Sequence, residues 1–338
     1  MKDVIAIGSV TRDVFLKTEF DLLPYKETPT GKALCIPLGE KFGVPHATFT
    51  IGGNAANASI TFARQEFDTA IVTKVGDDAA GKEVFRVLEK EQIDTRFISL
   101  SNKPTNYSVL LLQNGERTIL SYHGALDTFS TQDFSMTDLK SKWWYISLTS
   151  TSCTMFSRLM QFARKEGISV AMNPGLYHIE HGKTDIIKAL PFVKFLVLNE
   201  LEASKLTGIP FEKEAKLFAK LDELVPGIVA VTRGDKGVTV SDGHLIYRAG
   251  VFKVRNATDR TGAGDAFGSG FVAGLMCRKE KCIKGVCEPN NIEYALRLAS
   301  ANAASVVEHI GTSTGILTKS QFEKSRRFKE FSIQKEKA

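Results

Sequence analysis

Asp259-Arg260-Thr261-Gly262-Ala263-Gly264-Asp265-Ala266-Phe267-Gly268 is the stretch on which the reading of this chain turns. A strand-like run, residues 244–254, precedes it. Residues 266–277 follow as a small, apolar segment containing Gly268, Gly270 and Gly274, the pattern of a buried helix. Two glycines ahead of a helix let its first N–H groups face a ligand without interference from a Cβ. Those N–H groups have no intrahelical partners, and the helix dipole favours negative charge beside them. The stretch therefore predicts an anion cradle suited to a phosphate. Asp265 within it has two readings: a first-turn carboxylate that caps the helix, or a general base set where a hydroxyl meets a phosphoryl group.

Composition narrows the classes. The 338 residues suffice for one large α/β domain or two smaller ones. The net charge of +6 is diffuse, with no basic stripe interleaved with aromatics, which favours small anionic ligands over nucleic acid. No apolar run reaches transmembrane length, and the first residues do not read as a signal peptide. Five cysteines, an odd number, predict reduced thiols and a cytoplasmic location. The spacing of Cys277, Cys282 and Cys287 matches no common zinc pattern, and His178 and His181 read as surface histidines.

Outward from the central stretch, apolar runs recur before polar loops. Residues 4–8, 69–75, 144–148, 169–172, 195–198 and 228–232 read as buried strands, and helical segments alternate with the later ones. That alternation predicts a mostly parallel sheet covered on both faces. Asp13, Asn173, Asn199 with Glu202, and Thr232 with Gly234 all follow such strands, where an open α/β sheet builds its site. Asn199 and Glu202 can hold hydrated Mg²⁺ or simply cap a helix. Gly52-Gly53-Asn54-Ala55-Ala56-Asn57 opens another helix, with Asn57 one turn in. Gly76-Asp77-Asp78-Ala79-Ala80-Gly81-Lys82-Glu83 only approaches a P-loop: Glu83 replaces the magnesium-binding Ser/Thr, so this is a helix cap. The first strand ends in Gly8-Ser9-Val10-Thr11, not a dinucleotide-binding turn.

Residues 17–51 are rich in Pro and alternate in short strands. Residues 108–112 and 117–122, joined through Asn114-Gly115, form the clearest hairpin signal. Together they predict one small β-sheet acting as a lid. The core is then residues 1–16, 52–105 and 124–338, and the lid is residues 17–51 and 106–123. Its edge strands invite pairing across a homodimer.

The two glycine motifs, with Asp13, Asn199-Glu200-Leu201-Glu202, Thr232-Arg233-Gly234 and Asn302 in matching order, resemble the PfkB, or ribokinase-like, family of carbohydrate kinases. The resemblance spans all but the basic tail. It implies a three-layer α/β/α core with a β lid, and transfer of the γ-phosphoryl group of ATP to a hydroxyl of a sugar. Adenosine-kinase-like members share these motifs, so a nucleoside is the alternative acceptor, with Phe42, Phe49 or Tyr122 able to stack a base. The resemblance implies Asp265 as base, and Gly262, Ala263 and Gly264 as the anion hole. It assigns Asp13, Gly52, Gly53 and Asn57 to the acceptor. Asn199, Thr232, Gly234, Gly264 and Asn302 go to ATP, and Glu202 to Mg²⁺ through water. Asp259 and Thr261 go to a monovalent cation such as K⁺. Arg260, Asn54 and Asn173 depart from the family pattern.

Overall fold

The computed structural model describes all residues except 29, 115, 149–152, 256 and 278–291. The first half of the chain forms strands β1 (Lys2–Gly8), β2 (Thr11–Lys17), β3 (Asp21–Pro24), β4 (Lys32–Cys35), β5 (His46–Gly52), β6 (Thr69–Gly76), β7 (Ile98–Ser101), β8 (Tyr107–Gln113), β9 (Glu116–Tyr122) and β10 (Ser141–Ser147). The second half adds β11 (Ser169–Met172), β12 (Val193–Asn199), β13 (Ile228–Thr232), β14 (Val238–Ser241), β15 (Leu245–Ala249) and β16 (Ile333–Lys337). The helices are α1 (Asn54–Arg64), α2 (Ala79–Lys90), α3 (Cys153–Glu166), α4 (Leu176–Ala189), α5 (Glu200–Thr207), α6 (Glu214–Leu224), α7 (Ala263–Met276), α8 (Ile292–Val307) and α9 (Lys319–Lys324).

Among the described residues, ten strands make one sheet in the order β16-β15-β14-β13-β12-β11-β10-β1-β6-β7. Pairings from β13 through β7 are parallel; β14, β15 and β16 continue antiparallel. Strand side chains alternate between faces, so β1 feeds two cores. Val4 and Ala6 pack beneath α1, α2, α7 and α8; Ile5 and Ile7 pack beneath α3 to α6. This is the three-layer α/β/α arrangement.

Helices α7 and α8 approach closely because their facing residues are small. A Cβ on Gly274 would lie 2.4 Å from the Ala295 Cα, and one on Gly270 would lie 3.1 Å from the Ala299 Cα. α4 runs Leu176–Ala189 with the non-helical Gly182 inside it, which interrupts the sequence periodicity. The basic tail, expected only as a charged end, supplies β16 at the sheet edge, where alternating lysines deter further pairing.

A second sheet runs β5-β2-β8-β9, and β3-β4 forms a separate ribbon. Strand β2 is central to this small sheet, so its boundary falls at Thr11, before the expected residue 17. The hairpin β8–β9 pairs as expected, with Asn114 at φ 53°; Gly115 lies outside the described residues. Asp78 caps α2 as expected: its Oδ1 accepts from Gly81 N at 2.7 Å. His178, expected at the surface, is buried, whereas His181 is exposed and stacked on Tyr177. Cys282 and Cys287 lie outside the described residues. Among the described residues no group of His, Cys, Asp and Glu is arranged to hold a metal by itself, and no helix is long and apolar enough to cross a membrane.

Candidate active site

The α7 N-terminus stands between two cavities. One, of about 210 Å³, is lined by Asp13, Gly53, Asn57, Gly262 and Asp265, with Ser108, Ser121 and Tyr122 of the small sheet. The other, of about 610 Å³, is lined by Asn199, Thr232, Gly234, Ala263 and Gly264, with the apolar Val251, Phe252, Ala303 and Val307. Residues of a single helical turn thus face both.

That turn is built by glycine. Gly262 caps α7 at φ 81°, and a Cβ there would sit 2.9 Å from the Thr312 Cβ. No side chain caps α7. Asp265 instead directs its carboxylate sideways: Asn57 Nδ2 donates to Oδ2 at 3.0 Å, and Asn173 Nδ2 lies 3.5 Å from Oδ1. The helix-cap reading of Asp265 is therefore not what its side chain does. Protein surrounds this carboxyl, and burial pushes its pKa up to about 6; the Asn57 bond opposes the rise and the Asp13 charge adds to it.

Asp13 lies inside β2 rather than in a loop, and is buried. Thr11 Oγ1 donates to its Oδ1 at 2.6 Å. Burial raises its pKa, the Thr11 and Ser108 hydroxyls counter this, and the Asp259 charge raises it further. Gly52 does not line the cavity; it makes room for Asp13, whose Oδ2 would lie 1.8 Å from a Cβ at position 52. Gly53 does line it, at φ 96°, because a Cβ would lie 2.6 Å from the Ser9 carbonyl oxygen. Asn57 is buried and its Oδ1 has no protein donor.

On the other side, Asn199 Oδ1 accepts from Glu202 N at 2.9 Å, and Glu202 Oε2 accepts from Asn199 N at 2.8 Å. This is a complete capping box at α5. Glu202 keeps a second carboxylate oxygen; burial raises its pKa, the Asn199 bond opposes this, and the Asp265 charge adds to the rise. Asp259 Oδ1 accepts from Thr261 N and Oγ1 at 2.9 and 2.7 Å, while its buried Oδ2 has no partner.

Asn302 departs from expectation. It is buried, donates to Ala266 O at 2.9 Å and accepts from Leu317 N at 2.9 Å, and does not line the larger cavity. Its amide ties α8 to α7. Of the three aromatics suggested for base stacking, Tyr122 lines the smaller cavity. Phe42 packs edge-on against Phe20, and Phe49 lies under the Arg12 guanidinium. Sequence reasoning missed Ser108, Ser121 and Arg117, which stand at alternate positions of the hairpin; that period-2 pattern was the available signal. It also missed the buried Tyr145, whose Oη lies against Gly268 with no hydrogen bond.

Comparison with known proteins places the chain in a family. The profile of the pfkB family carbohydrate kinases matches residues 1–319. A nucleoside kinase from Methanothermobacter thermautotrophicus is 27% identical over 321 residues, covering 93% of this chain and 92% of that one. A ribokinase from Staphylococcus aureus is 26% identical, covering 80% and 86%. The structure of Arabidopsis thaliana ribokinase complexed with ribose and ATP shares the fold at TM-score 0.76 and 23% identity, covering 97% of this chain and 99% of that one. With the match running through both glycine motifs and every strand of the sheet but the last, the chain belongs to the pfkB family of carbohydrate kinases.

Proposed function

We propose that this chain transfers the γ-phosphoryl group of ATP to a hydroxyl of a small sugar, with the sugar in the smaller cavity and the nucleotide in the larger. One observation carries this: Gly262 and Asp265 line the first cavity while Ala263 and Gly264 line the second, so a group crossing between them passes the α7 N-terminus. Asp13, Gly53 and Asn57 hold the acceptor. Asp265 Oδ1 or Oδ2 takes the hydroxyl proton, with Asn57 fixing the carboxylate. The N–H groups of Gly262 and Gly264, and that of Ala263, which holds only a 3.4 Å bond to Arg260 O, stabilise charge on the moving phosphoryl. Asn199, Thr232 and Gly234 position the nucleotide, whose base fits the apolar wall of Val251, Phe252, Ala303 and Val307.

The donor chemistry beside the phosphates suits magnesium. Glu202 has a spare oxygen and a carboxyl whose ionised form is disfavoured by burial and further by the Asp265 charge, which a nearby cation would relieve. Asn199 and Glu202 would hold the ion through its waters; magnesium, when bound, neutralises phosphate charge. The orphaned Asp259 Oδ2 fits a monovalent cation such as K⁺ in the same way, with Thr261 bracing the other oxygen. The small sheet serves as a lid that excludes water. β9 is exposed along its length and presents Ile119, Leu120 and Tyr122, which suits a homodimer through this sheet. A cytoplasmic setting fits the expected use of ATP.

A nucleoside acceptor is the second reading, supported by Tyr122 in the acceptor wall. The test is ADP release that depends on an added sugar and yields a product heavier by one phosphate. Acceptor-independent ATP hydrolysis alone would refute the assignment.

A further inference from the structure

The two cavities differ sharply in the charges that line them. Resting on the kinase reading above, we infer that the acceptor is an uncharged polyol, and that sugar phosphates and sugar acids are excluded electrostatically.

The smaller cavity carries two carboxylates, Asp13 and Asp265. Among the described residues, no Lys or Arg lines it, and its only basic side chain is the exposed His123. Asn54 also lines it with a neutral amide, which donates to Ser147 Oγ at 2.7 Å. The hydrogen-bonding inventory points the same way. Asn57 is buried and its Oδ1 lacks a donor, and Asp13 and Asp265 offer further lone pairs. These groups ask for a ligand that donates, as hydroxyls do; a phosphate or carboxylate only accepts. A phosphate placed there would leave Asn57 Oδ1 unpaired and face two like charges in a partly desolvated site.

Cations are gathered on the donor side. Arg117, Lys253 and Arg260 line the larger cavity, against the single carboxylate of Asp235. Arg117 comes from β9, the strand whose Ile119 and Ser121 line the acceptor cavity. Neither Arg117 nor Arg260 makes an ion pair within the described protein. The charge pattern thus accommodates one polyanion, the nucleotide, and places it on one side of Asp265.

The test is an ADP-release assay with Mg·ATP at pH 8. Three acceptor sets are compared: ribose, deoxyribose, fructose and glucose; ribose 5-phosphate, fructose 6-phosphate, fructose 1-phosphate and gluconate; adenosine and inosine. The best uncharged acceptor is expected to exceed the best charged one in kcat/KM by at least about 100-fold. A charged acceptor within about tenfold of the best uncharged one would overturn the inference and leave the kinase reading intact. Turnover confined to nucleosides supports the inference and selects the second reading of the acceptor. Turnover of none of the three sets overturns both. Asp13→Asn lowers kcat/KM for the uncharged acceptor and narrows the discrimination by about tenfold; an unchanged ratio would mean that charge is not what excludes the anions.

Discussion

Asn57 and Asp265, 208 positions apart, meet in a hydrogen bond of 3.0 Å that joins the first helix of the chain to the seventh. The bond holds a carboxylate where a carboxylate is costly. Asp265→Asn is expected to lower kcat by about 10²–10⁴-fold while substrate and nucleotide still bind. Because the native pKa near 6 exceeds the unfolded value of 3.8, stability is lost as pH rises through that interval. The same variant is therefore expected to be more stable at neutral pH, by on the order of 1–3 kcal/mol. Denaturant titration and steady-state kinetics together check both halves.

As the proposed base, Asp265 must be ionised to work, so activity is expected to fall as pH drops through about 6. Asn57→Ala removes the bond that favours the ionised form, and should move this acid limb to higher pH. A pH–rate profile of kcat that stays in place would show that the limb belongs to another group.

Glu202→Gln keeps an acceptor oxygen for the α5 capping box but removes the charge that the proposed magnesium role requires. The magnesium concentration for half-maximal rate is expected to rise, with little change in thermal stability. A shift in melting alone would assign Glu202 only to the helix.

His178 is buried against Phe156 with neither ring nitrogen bonded, and burial lowers its pKa to about 4, an effect the Asp185 charge opposes. The unfolded chain takes up this proton first, so stability is present above pH 6.5 and drains away as pH falls toward 4, by on the order of 3 kcal/mol. His178→Leu should flatten that part of the stability–pH curve; an equal slope in both proteins would exonerate this histidine.

Gly274→Ala inserts a methyl group against the Ala295 backbone, and is expected to destabilise the fold by about 1–3 kcal/mol. Chemical denaturation measures it directly.

The core strands were legible because each is a continuous apolar run, as Thr69–Gly76 shows, and buried parallel strands leave that mark. The starts of α1 and α7 were legible because glycine before a helix is a local signal. Position within the fold was less so. Asp13 read as a loop residue because a two-residue gap after β1 hides a change of sheet. Asn302 read as a ligand contact because a polar side chain among alanines looks exposed; only tertiary packing revealed partners at Ala266 and Leu317. Gly52 read as an acceptor contact, when its role is to admit the Asp13 carboxylate. His178 carries no sequence mark of burial at all.

The small sheet draws β2, β5 and the β8–β9 hairpin from separate places in the chain, interleaved with core elements. It cannot be excised from the gene as a unit. The hairpin alone is contiguous, and it contributes one wall of the smaller cavity through Ser108 and Ser121 and one cation to the larger cavity through Arg117. Grafting that cassette between relatives is thus the shortest route to a chimera with an altered choice of acceptor.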